Sequence, residues 1–147
     1  MLIIASYGED SAPNAMNAAW GGVADSSRIA MYLSGGHKTV KNILKRGAFT
    51  VSMGDAEHAA ACDYVGIGSG NSVPDKVARA GFHVTKSEHV DAPVIDELPL
   101  ALECKLVSYD EETRLLTGEI VNVSVDERAL DENGKLAVEK LHVITFD

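Results

Sequence analysis

The residues best suited to bind a charged ligand lie within residues 34–47, where two glycines precede a group of polar side chains. Gly35 and Gly36 have no Cβ, so we expect positive φ there, which would turn several backbone N–H groups toward one point, as in an anion-binding nest. The next residues offer an imidazole, a positive charge and a hydroxyl: His37, Lys38 and Thr39. This combination predicts a site for a phosphate-sized anion.

An amphipathic helix is predicted to follow this cluster directly. From Lys38 onward, apolar residues recur at helical spacing as one stripe: Val40, Ile43 and Leu44. Gly47 then supplies a left-handed end for the helix. The N–H groups of the first turn and the positive end of the helix dipole would face the same point as the nest. By itself, however, this segment is more typical of a polar loop with a solvated lysine.

A second candidate surface is the strand predicted over residues 15–20, which is rich in alanine and ends at the only tryptophan, Trp20. Small side chains would let a flat ligand approach the backbone closely. Accommodation of a neighbouring helix explains the same alanines equally well. From the residues alone, both interpretations remain open.

Three other patterns resemble functional motifs without completing one. His58 and Cys62 lie four residues apart on a predicted helix and could contact one metal ion, but no third ligand is near them in the sequence. The glycine-rich run 66–70 follows a helical pattern instead of a strand, so it predicts a flexible loop and not a dinucleotide site. Glycines do not flank Ser69 as a nucleophile elbow requires. We therefore assign no catalytic side chain, and an enzyme of this sequence would depend on a bound cofactor.

The charge balance restricts the partners of the protein. Its 22 acidic and 13 basic residues give a net charge of -9, which argues against a nucleic-acid partner or an acidic membrane surface. Four basic residues nevertheless gather on the helix predicted after the glycine pair: Lys38, Lys41, Lys45 and Arg46. This distribution favours a small phosphorylated ligand.

Length and composition predict a single domain over residues 1–147, because the chain is 46% hydrophobic and long enough for one core. Cys62 and Cys104 stand in apolar contexts, and the sequence has no signal peptide and no run that could span a bilayer. We therefore expect a reduced, cytoplasmic protein. Strand-like residues stand at both ends, so we also expect a chain trimmed at both ends.

The elements that position these residues are mainly strands. Strands are predicted over 2–7, 15–20, 28–34, 48–53, 100–106, 115–125 and 141–146, and side chains of two kinds alternate along 28–34, 100–106 and 115–125. Turns are predicted at 110–113 and 131–134. Helices are predicted from an N-cap at Asp55 through Tyr64, and from Pro74, inside a capping box, through Ala80 to a stop at Gly81. Strands with a few inserted helices predict a small antiparallel barrel.

Six sequence blocks occur in an order that matches a known family: 14–22, 37–43, 48–52, 62–66, 69–76 and 102–105. Together they resemble the flavin reductase-like, FMN-binding split-barrel proteins, including flavoredoxin-type members. The resemblance covers nearly the whole chain. It implies a mainly β fold, an antiparallel Greek-key split β-barrel with a few inserted helices. It also implies a homodimer with FMN near the subunit interface and redox chemistry at the isoalloxazine ring.

The resemblance also implies which residues contact the cofactor. Those along the flavin ring would be Asn17, Ala18, Ala19 and Trp20. Those around the phosphate would be Ser34, Gly36, His37, Lys38 and Thr39. Ser69 and Lys76 match a motif that borders the site. Many relatives carry an arginine where this chain has the glycine pair, so we expect backbone N–H groups to contribute more of the phosphate affinity here.

The function implied is that of an FMN-dependent oxidoreductase. Reducing equivalents would pass from NADH, NADPH or an electron-transfer protein through bound FMN to a small-molecule or redox-protein acceptor. An alternative is an FMN-binding electron-transfer protein without nicotinamide turnover of its own. A degenerate barrel that has lost the flavin is a third alternative, against which the retention of Lys38, Thr39 and the small-residue strand argues.

Overall fold

Strands dominate the computed structural model, which describes residues 1–145. The strands of this part are β1 (Leu2–Tyr7), β2 (Pro13–Ala18), β3 (Gly21–Val23), β4 (Arg28–Tyr32), β5 (Ala48–Met53), β6 (Val84–Lys86), β7 (Pro93–Ile95), β8 (Leu100–Tyr109) and β9 (Leu115–Val125). The helices are α1 (Lys38–Arg46), α2 (Ala59–Ile67) and α3 (Lys76–Arg79), with 3-10 turns at Glu127–Ala129 and Val138–Leu141. The predicted mainly β fold with a few inserted helices is confirmed.

Seven strands form one sheet in the order β2-β1-β5-β8-β9-β4-β3, and every pair in it is antiparallel. The sheet curls around one hydrophobic cluster, because Ala18 from one end of the strand order shares this cluster with Met31 near the other end. Phe49 fills the middle of this cluster. A Cβ on Gly118 would lie 2.3 Å from the Phe49 ring, so glycine is required where the ring crosses β9.

Helix α1 packs into this core through Val40 and Ile43, as the apolar stripe predicted. The prediction that Leu44 belongs to this apolar stripe is wrong, because its side chain is 46% exposed. Asn42 is buried instead, and its amide donates a hydrogen bond to Ser6 Oγ over 3.2 Å. A satisfied polar group can occupy the buried face, so the apolar residues alone did not define that face.

A second core lies on the other face of β1 and holds α2 and α3 against the sheet. Ile3 of β1 packs there with Val65 of α2 and Val77 of α3, and all three side chains are buried. Strand β1 is therefore covered on both faces, which explains its nearly continuous apolar sequence. No helix within residues 1–145 is long and apolar enough to cross a membrane.

The predicted strand boundaries agree with the structure at some strands and not at others. The predictions for 2–7, 48–53 and 115–125 match β1, β5 and β9 residue for residue. The strand predicted over 15–20 is shifted, since β2 runs from Pro13 to Ala18 and places Trp20 in the connection to β3. The strand predicted to end at Ser34 ends at Tyr32.

Helix α2 begins three residues later than predicted, with His58 as its N-cap residue where Asp55 was expected. The Asp55 carboxylate does accept a hydrogen bond from the His58 N–H over 2.7 Å, as a capping side chain would. Its backbone, however, forms a β-bridge with Val143, so the chain stays extended there and enters the helix only at Ala59. A long-range backbone pair has overridden a local capping signal.

The predicted capping box at 72–75 is also wrong. Helix α3 begins at Lys76 without a side-chain cap, because the Asp75 carboxylate binds Arg79 at 2.9 Å. The predicted stop is confirmed, since Gly81 has φ of 85°.

The strand predicted over 141–146 is wrong as far as the described residues reach. A 3-10 turn ends at Leu141, and Val143 forms only the single bridge to Asp55. Leu141 is buried against Leu100 and Ala129, so its packing ends the extended pattern. Phe146 lies outside the described residues.

Candidate functional site

A cavity of about 220 Å³ lies where the start of α1, the end of α2, strand β2 and helix α3 meet. Its lining residues are Met16, His37, Lys38, Thr39, Gly66, Ile67, Gly68, Ser69, Gly70 and Lys76. Five of them were predicted as site residues: His37, Lys38, Thr39, Ser69 and Lys76. The fold thus brings together positions that are up to 39 residues apart in the chain.

The glycines of the 66–70 run allow this loop to lie directly on strand β2. A Cβ on Gly66 would be 2.0 Å from Asn17 Nδ2, and a Cβ on Gly70 would be 2.1 Å from Asn14 Oδ1. Neither position can take a side chain without displacing an asparagine. The loop predicted over 66–70 is confirmed only from Gly68 onward, because Gly66 and Ile67 belong to the last turn of α2. Close approach to β2 accounts for Gly66 and Gly70 where flexibility was expected.

Asn14 is a site residue that the sequence analysis missed. It is buried, and its Nδ2 donates a hydrogen bond to Thr39 Oγ1 over 2.6 Å. Thr39 is buried too, so this bond orients a hydroxyl that still has its own proton to donate into the cavity. The only available signal was that Asn14 begins the first of the matched sequence blocks.

The predicted anion nest at the glycine pair is wrong, because neither Gly35 nor Gly36 has positive φ. The turn is closed instead by a hydrogen bond from the His37 N–H to the Ser34 carbonyl, 3.1 Å long. A Cβ on Gly35 would lie 3.1 Å from Tyr109 Oη, so glycine there makes room for the tyrosine. Backbone donors for an anion therefore come from α1 and not from a nest.

The N-terminus of α1 is available for such a ligand. His37 is its N-cap residue and makes no side-chain capping hydrogen bond. The N–H groups of the first turn, which have no acceptor within the helix, border the cavity through Lys38 and Thr39. The positive end of the helix dipole adds to their attraction for an anion.

Lys38 is the basic side chain of α1 that remains available. The other three bind protein groups: Lys41 binds Asn71, Lys45 binds Glu9, and Arg46 binds Asp91. Within residues 1–145, Lys38 has no hydrogen bond or ion pair to another side chain. Of the four basic side chains of α1, Lys38 is thus the one whose ammonium group is available to a ligand in the cavity.

Lys76 is buried, and its ammonium group closes the C-terminal end of α2. Nζ donates to the Val65 carbonyl over 2.8 Å and to the Gly68 carbonyl over 2.7 Å. Burial lowers the pKa of Lys76 to about 8. Burial, followed by the positive charge of Lys76, lowers the pKa of His37 as well, so the imidazole is neutral at pH 7. One N–H of Lys76 remains for a group in the cavity.

The residues predicted along the flavin ring do not line the cavity. Ala18 points into the core, and the Asn17 amide donates to the Cys62 carbonyl over 3.3 Å. Ala19 and Trp20 are exposed, Trp20 by 71%. These four residues directly follow Met16, which does line the cavity. Strand β2 is also at the edge of the sheet, so the backbone groups on one of its sides are unpaired. Ser34 and Gly36 lie in the turn next to the cavity.

A larger cavity, of about 280 Å³, lies at the opposite end of α2 and contains none of the predicted site residues. Its charged groups are already paired in part: His58 Nδ1 lies 2.9 Å from Asp55 Oδ1, and Arg128 binds Asp126. Cys62 is buried, and burial raises its pKa to about 11. In the described part of the chain, no three His, Cys, Asp or Glu side chains are placed to share a metal ion.

Comparison with solved structures gives close matches. Flavoredoxin of Desulfovibrio vulgaris (Miyazaki F) is 39% identical, with a TM-score of 0.89 over 95% of this chain and 76% of that chain. Flavoredoxin from Methanosarcina acetivorans is 25% identical, with a TM-score of 0.86 over 97% of this chain and 76% of that chain. A split-barrel putative flavin reductase from Shewanella frigidimarina NCIMB 400 has a TM-score of 0.79 at 17% identity over 97% of this chain and 74% of that chain, and thus matches in fold. The predicted split-barrel fold is confirmed.

Sequence comparisons give a curated relative and a family model that match this chain. An uncharacterized protein of Aquifex aeolicus (strain VF5) is 32% identical over 111 residues, which are 72% of this chain and 55% of that protein. The chain thus spans about half the length of this curated relative. The model of the family described as flavin reductase like domain matches residues 1–140. This protein therefore belongs to the flavin reductase like domain family.

Proposed function

We propose that the protein binds FMN with its phosphate at the start of α1 and acts as an FMN-dependent oxidoreductase. The observation that carries this proposal is the convergence of the uncapped N-terminus of α1, the uncommitted Lys38 and the buried Thr39 hydroxyl at one cavity. All are donors to an anion, as a phosphate requires. An FMN-binding domain of a flavin reductases-like enzyme from Shewanella baltica OS155 shares the fold, with a TM-score of 0.86.

The size of the cavity agrees with partial enclosure of a flavin nucleotide. Its volume of about 220 Å³ is below the roughly 300–1,000 Å³ of sites that enclose a whole small ligand. We assign it to the phosphate and the adjoining part of the ribityl chain. The flat ring would then lie outside, along the exposed Ala19 and Trp20.

The side chains would divide the work of binding. Lys38 contributes a charge and Thr39 a hydroxyl to the phosphate, each contact contributing on the order of 1–3 kcal/mol when desolvated. Asn14 keeps the Thr39 side chain in its orientation through the 2.6 Å hydrogen bond. His37, whose pKa burial lowers in the ligand-free protein, offers a ring N–H to the phosphate.

When bound, FMN supplies the redox centre, which exchanges hydride or electrons with nicotinamides and carrier proteins. The chain's own part is to hold and orient the cofactor, since alignment contributes most to hydride transfer between bound groups. NADH or NADPH as the donor is part of this proposal.

Binding is tested by adding FMN to the purified protein, desalting it and measuring flavin absorbance and fluorescence quenching. We expect retained FMN in the wild type and weaker binding in the Lys38→Ala, Thr39→Ala double variant. Lys86→Ala is the matched control, because Lys86 lies on β6, away from the cavity, and is exposed. A colourless wild type without measurable FMN affinity would overturn the proposal, and unchanged affinity in the double variant would place the phosphate elsewhere.

An electron-transfer protein without nicotinamide turnover is the second candidate function. The similarity to two flavoredoxins, one of them 39% identical, favours it. Stopped-flow mixing of the FMN-loaded protein with NADH or NADPH separates the two candidates. Rapid bleaching of the flavin supports the oxidoreductase, whereas reduction only by a ferredoxin-like carrier supports the electron-transfer protein.

We further propose a homodimer. Trp20 and Tyr32 are 71% and 57% exposed and lie across from each other on neighbouring segments, since the Tyr32 N–H donates to the Trp20 carbonyl. Exposed large apolar groups that lie together are typical of association surfaces. Sedimentation equilibrium at micromolar concentration is expected to give twice the mass of 15.6 kDa, and a monomer would contradict the proposal. The acceptor, a small molecule or a redox protein, and the cytoplasmic location stay predictions.

A further inference from the structure

Lys76 is a buried amine that lines the cavity at the start of α1. The residue is 3% exposed, and its Nζ donates to the carbonyls of Val65 and Gly68 over 2.8 and 2.7 Å. Gly68 lines the same cavity, so these bonds hold the amine at the cavity wall. Among residues 1–145, Nζ has no further hydrogen-bond partner and no ion pair.

The two hydrogen bonds also orient the amine in its neutral form. An ammonium group has three N–H donors, whereas a neutral amine has two N–H donors and one lone pair. When the two N–H groups of the neutral amine donate to Val65 and Gly68, the lone pair takes the position of the third N–H. Loss of the proton therefore keeps both bonds and leaves a nucleophile that is already oriented.

Burial makes this neutral form common, since it lowers the pKa of Lys76 to about 8. At pH 7 about a tenth of such amines are neutral, against less than about a thousandth of ordinary lysines with a pKa of about 10.4. Desolvation of a lysine in a pocket is a usual way in which proteins obtain a nucleophilic amine.

The cavity attracts a negatively charged reagent to this amine. Its titratable lining residues are His37, Lys38 and Lys76, and no carboxylate from the described part of the chain lines it. The first-turn N–H groups of α1 and the Thr39 hydroxyl add hydrogen-bond donors for an anion. A small compound that carries a phosphate and an electrophilic carbon would thus have both its binding group and its reaction partner in one cavity.

We propose that Lys76 is a site of covalent acylation by small acyl phosphates, with acetyl phosphate as the simplest example. The neutral Nζ attacks the acyl carbon and forms an N–C bond, while the C–O bond to the phosphate breaks and its electron pair leaves with the phosphate. The nitrogen gives up one proton, which the released phosphate takes, so the products are an amide and hydrogen phosphate. This inference does not depend on the proposed function, because it uses only the cavity, its donors and the amine.

The test is a time course of the ligand-free full chain with acetyl phosphate at pH 7.5, followed by mass spectrometry of its peptides. We expect acetylation of Lys76 to be at least about tenfold faster than that of Lys86, because a larger share of Lys76 is neutral. Lys86 is the internal control, since its side chain lies on β6 and is 69% exposed. Inorganic phosphate should slow the reaction at Lys76 and leave Lys86 unchanged.

Two comparisons separate guidance by the cavity from general reactivity. N-acetoxysuccinimide, an acetyl donor without a phosphate, should show a much smaller preference for Lys76, and inorganic phosphate should not slow it. Lys76→Arg keeps a positive charge and donors for the two carbonyls, and it should remove the rapid phase of acetylation.

Equal rates at Lys76 and Lys86 would overturn the inference. Rapid acetylation of Lys76 that inorganic phosphate does not slow would overturn it too, as would a rapid phase that persists in Lys76→Arg. Retention of FMN is measured separately, so these results leave the proposed function standing, and a protein without FMN affinity leaves this inference standing.

Discussion

Replacement of Lys76 by methionine should change how the stability of the protein depends on pH. Lys76 is 3% exposed, and burial lowers its pKa from 10.5 to about 8. In the unfolded chain the side chain is solvated and regains its ordinary pKa. The difference corresponds to about 3 kcal/mol, at about 1.4 kcal/mol for each unit of pKa.

The sign follows from which state holds the proton. Between pH 8 and pH 10.5 the unfolded chain keeps a proton on Lys76 that the folded protein has lost, so the free energy of unfolding rises with pH in this window. Below pH 8 the ammonium group is charged in both states, so Lys76 does not make the free energy of unfolding rise with pH there. Lys76→Met has no such group, so its stability lacks this rise.

The substitution also has an effect that does not depend on pH. It removes the donors of the Val65 and Gly68 carbonyls, which costs about 1–3 kcal/mol if the carbonyls stay buried. It also removes the need to bury a charge, which acts in the opposite direction. The informative quantity is therefore the change with pH of the difference between the two proteins.

Urea unfolding followed by far-UV circular dichroism at pH 7, 8, 9 and 10 gives this difference, in which the titration of groups that Lys76 does not affect cancels. We expect the wild type to gain on the order of 2–3 kcal/mol over Lys76→Met across this range. Lys86→Met is the control, because its side chain is 69% exposed and stays in solvent in both states. A difference that is constant from pH 7 to pH 10 would refute the burial of a charged Lys76.

Three further predictions concern buried polar groups. Ser52 Oγ is buried and has no hydrogen-bond partner among residues 1–145, so Ser52→Ala should stabilise the protein by about 1 kcal/mol, and a loss of stability in urea unfolding would contradict this. Burial raises the pKa of Glu103, but hydrogen bonds from two serines and an asparagine lower it below its usual value of 4.5. Glu103→Gln should therefore lower the free energy of unfolding by about 1–3 kcal/mol at pH 7. This loss should shrink as the pH falls below 4.5, because the hydrogen bonds that lower the pKa of Glu103 stabilise the folded protein only while the carboxylate is ionised. Burial raises the thiol pKa to about 11 at Cys62 and about 12 at Cys104, so a disulfide reagent at pH 8 should label neither in the native protein and both in urea, and rapid native labelling would be the contrary result.

The site was predictable in its location but not in its details. His37, Lys38 and Thr39 were placed at a helix start by local pattern, and the structure puts all three on one cavity. Asn14 was missed because its contribution is a hydrogen bond to Thr39, 25 residues away in the chain, which no local pattern indicates. The nest at Gly35 was wrong for a similar reason, since a distant tyrosine explains that glycine.

By itself, the sequence determined the elements whose signals are local. Local residue types delimited β1, β5 and β9, and Gly47, with φ of 70°, ended α1 where predicted. The backbone preferences of the residues themselves govern such features, so a short stretch of sequence contains the information.

Only the tertiary structure decided which groups remain free to bind a ligand. Lys41, Lys45 and Arg46 look equivalent to Lys38 on the helix, yet each of the three is paired with a residue at least 30 positions away. After those pairings, Lys38 is the basic side chain of α1 that can still bind a ligand in the cavity. Because long-range crossings of the chain determine the partner of a side chain, composition and spacing alone could not identify Lys38 as the uncommitted one.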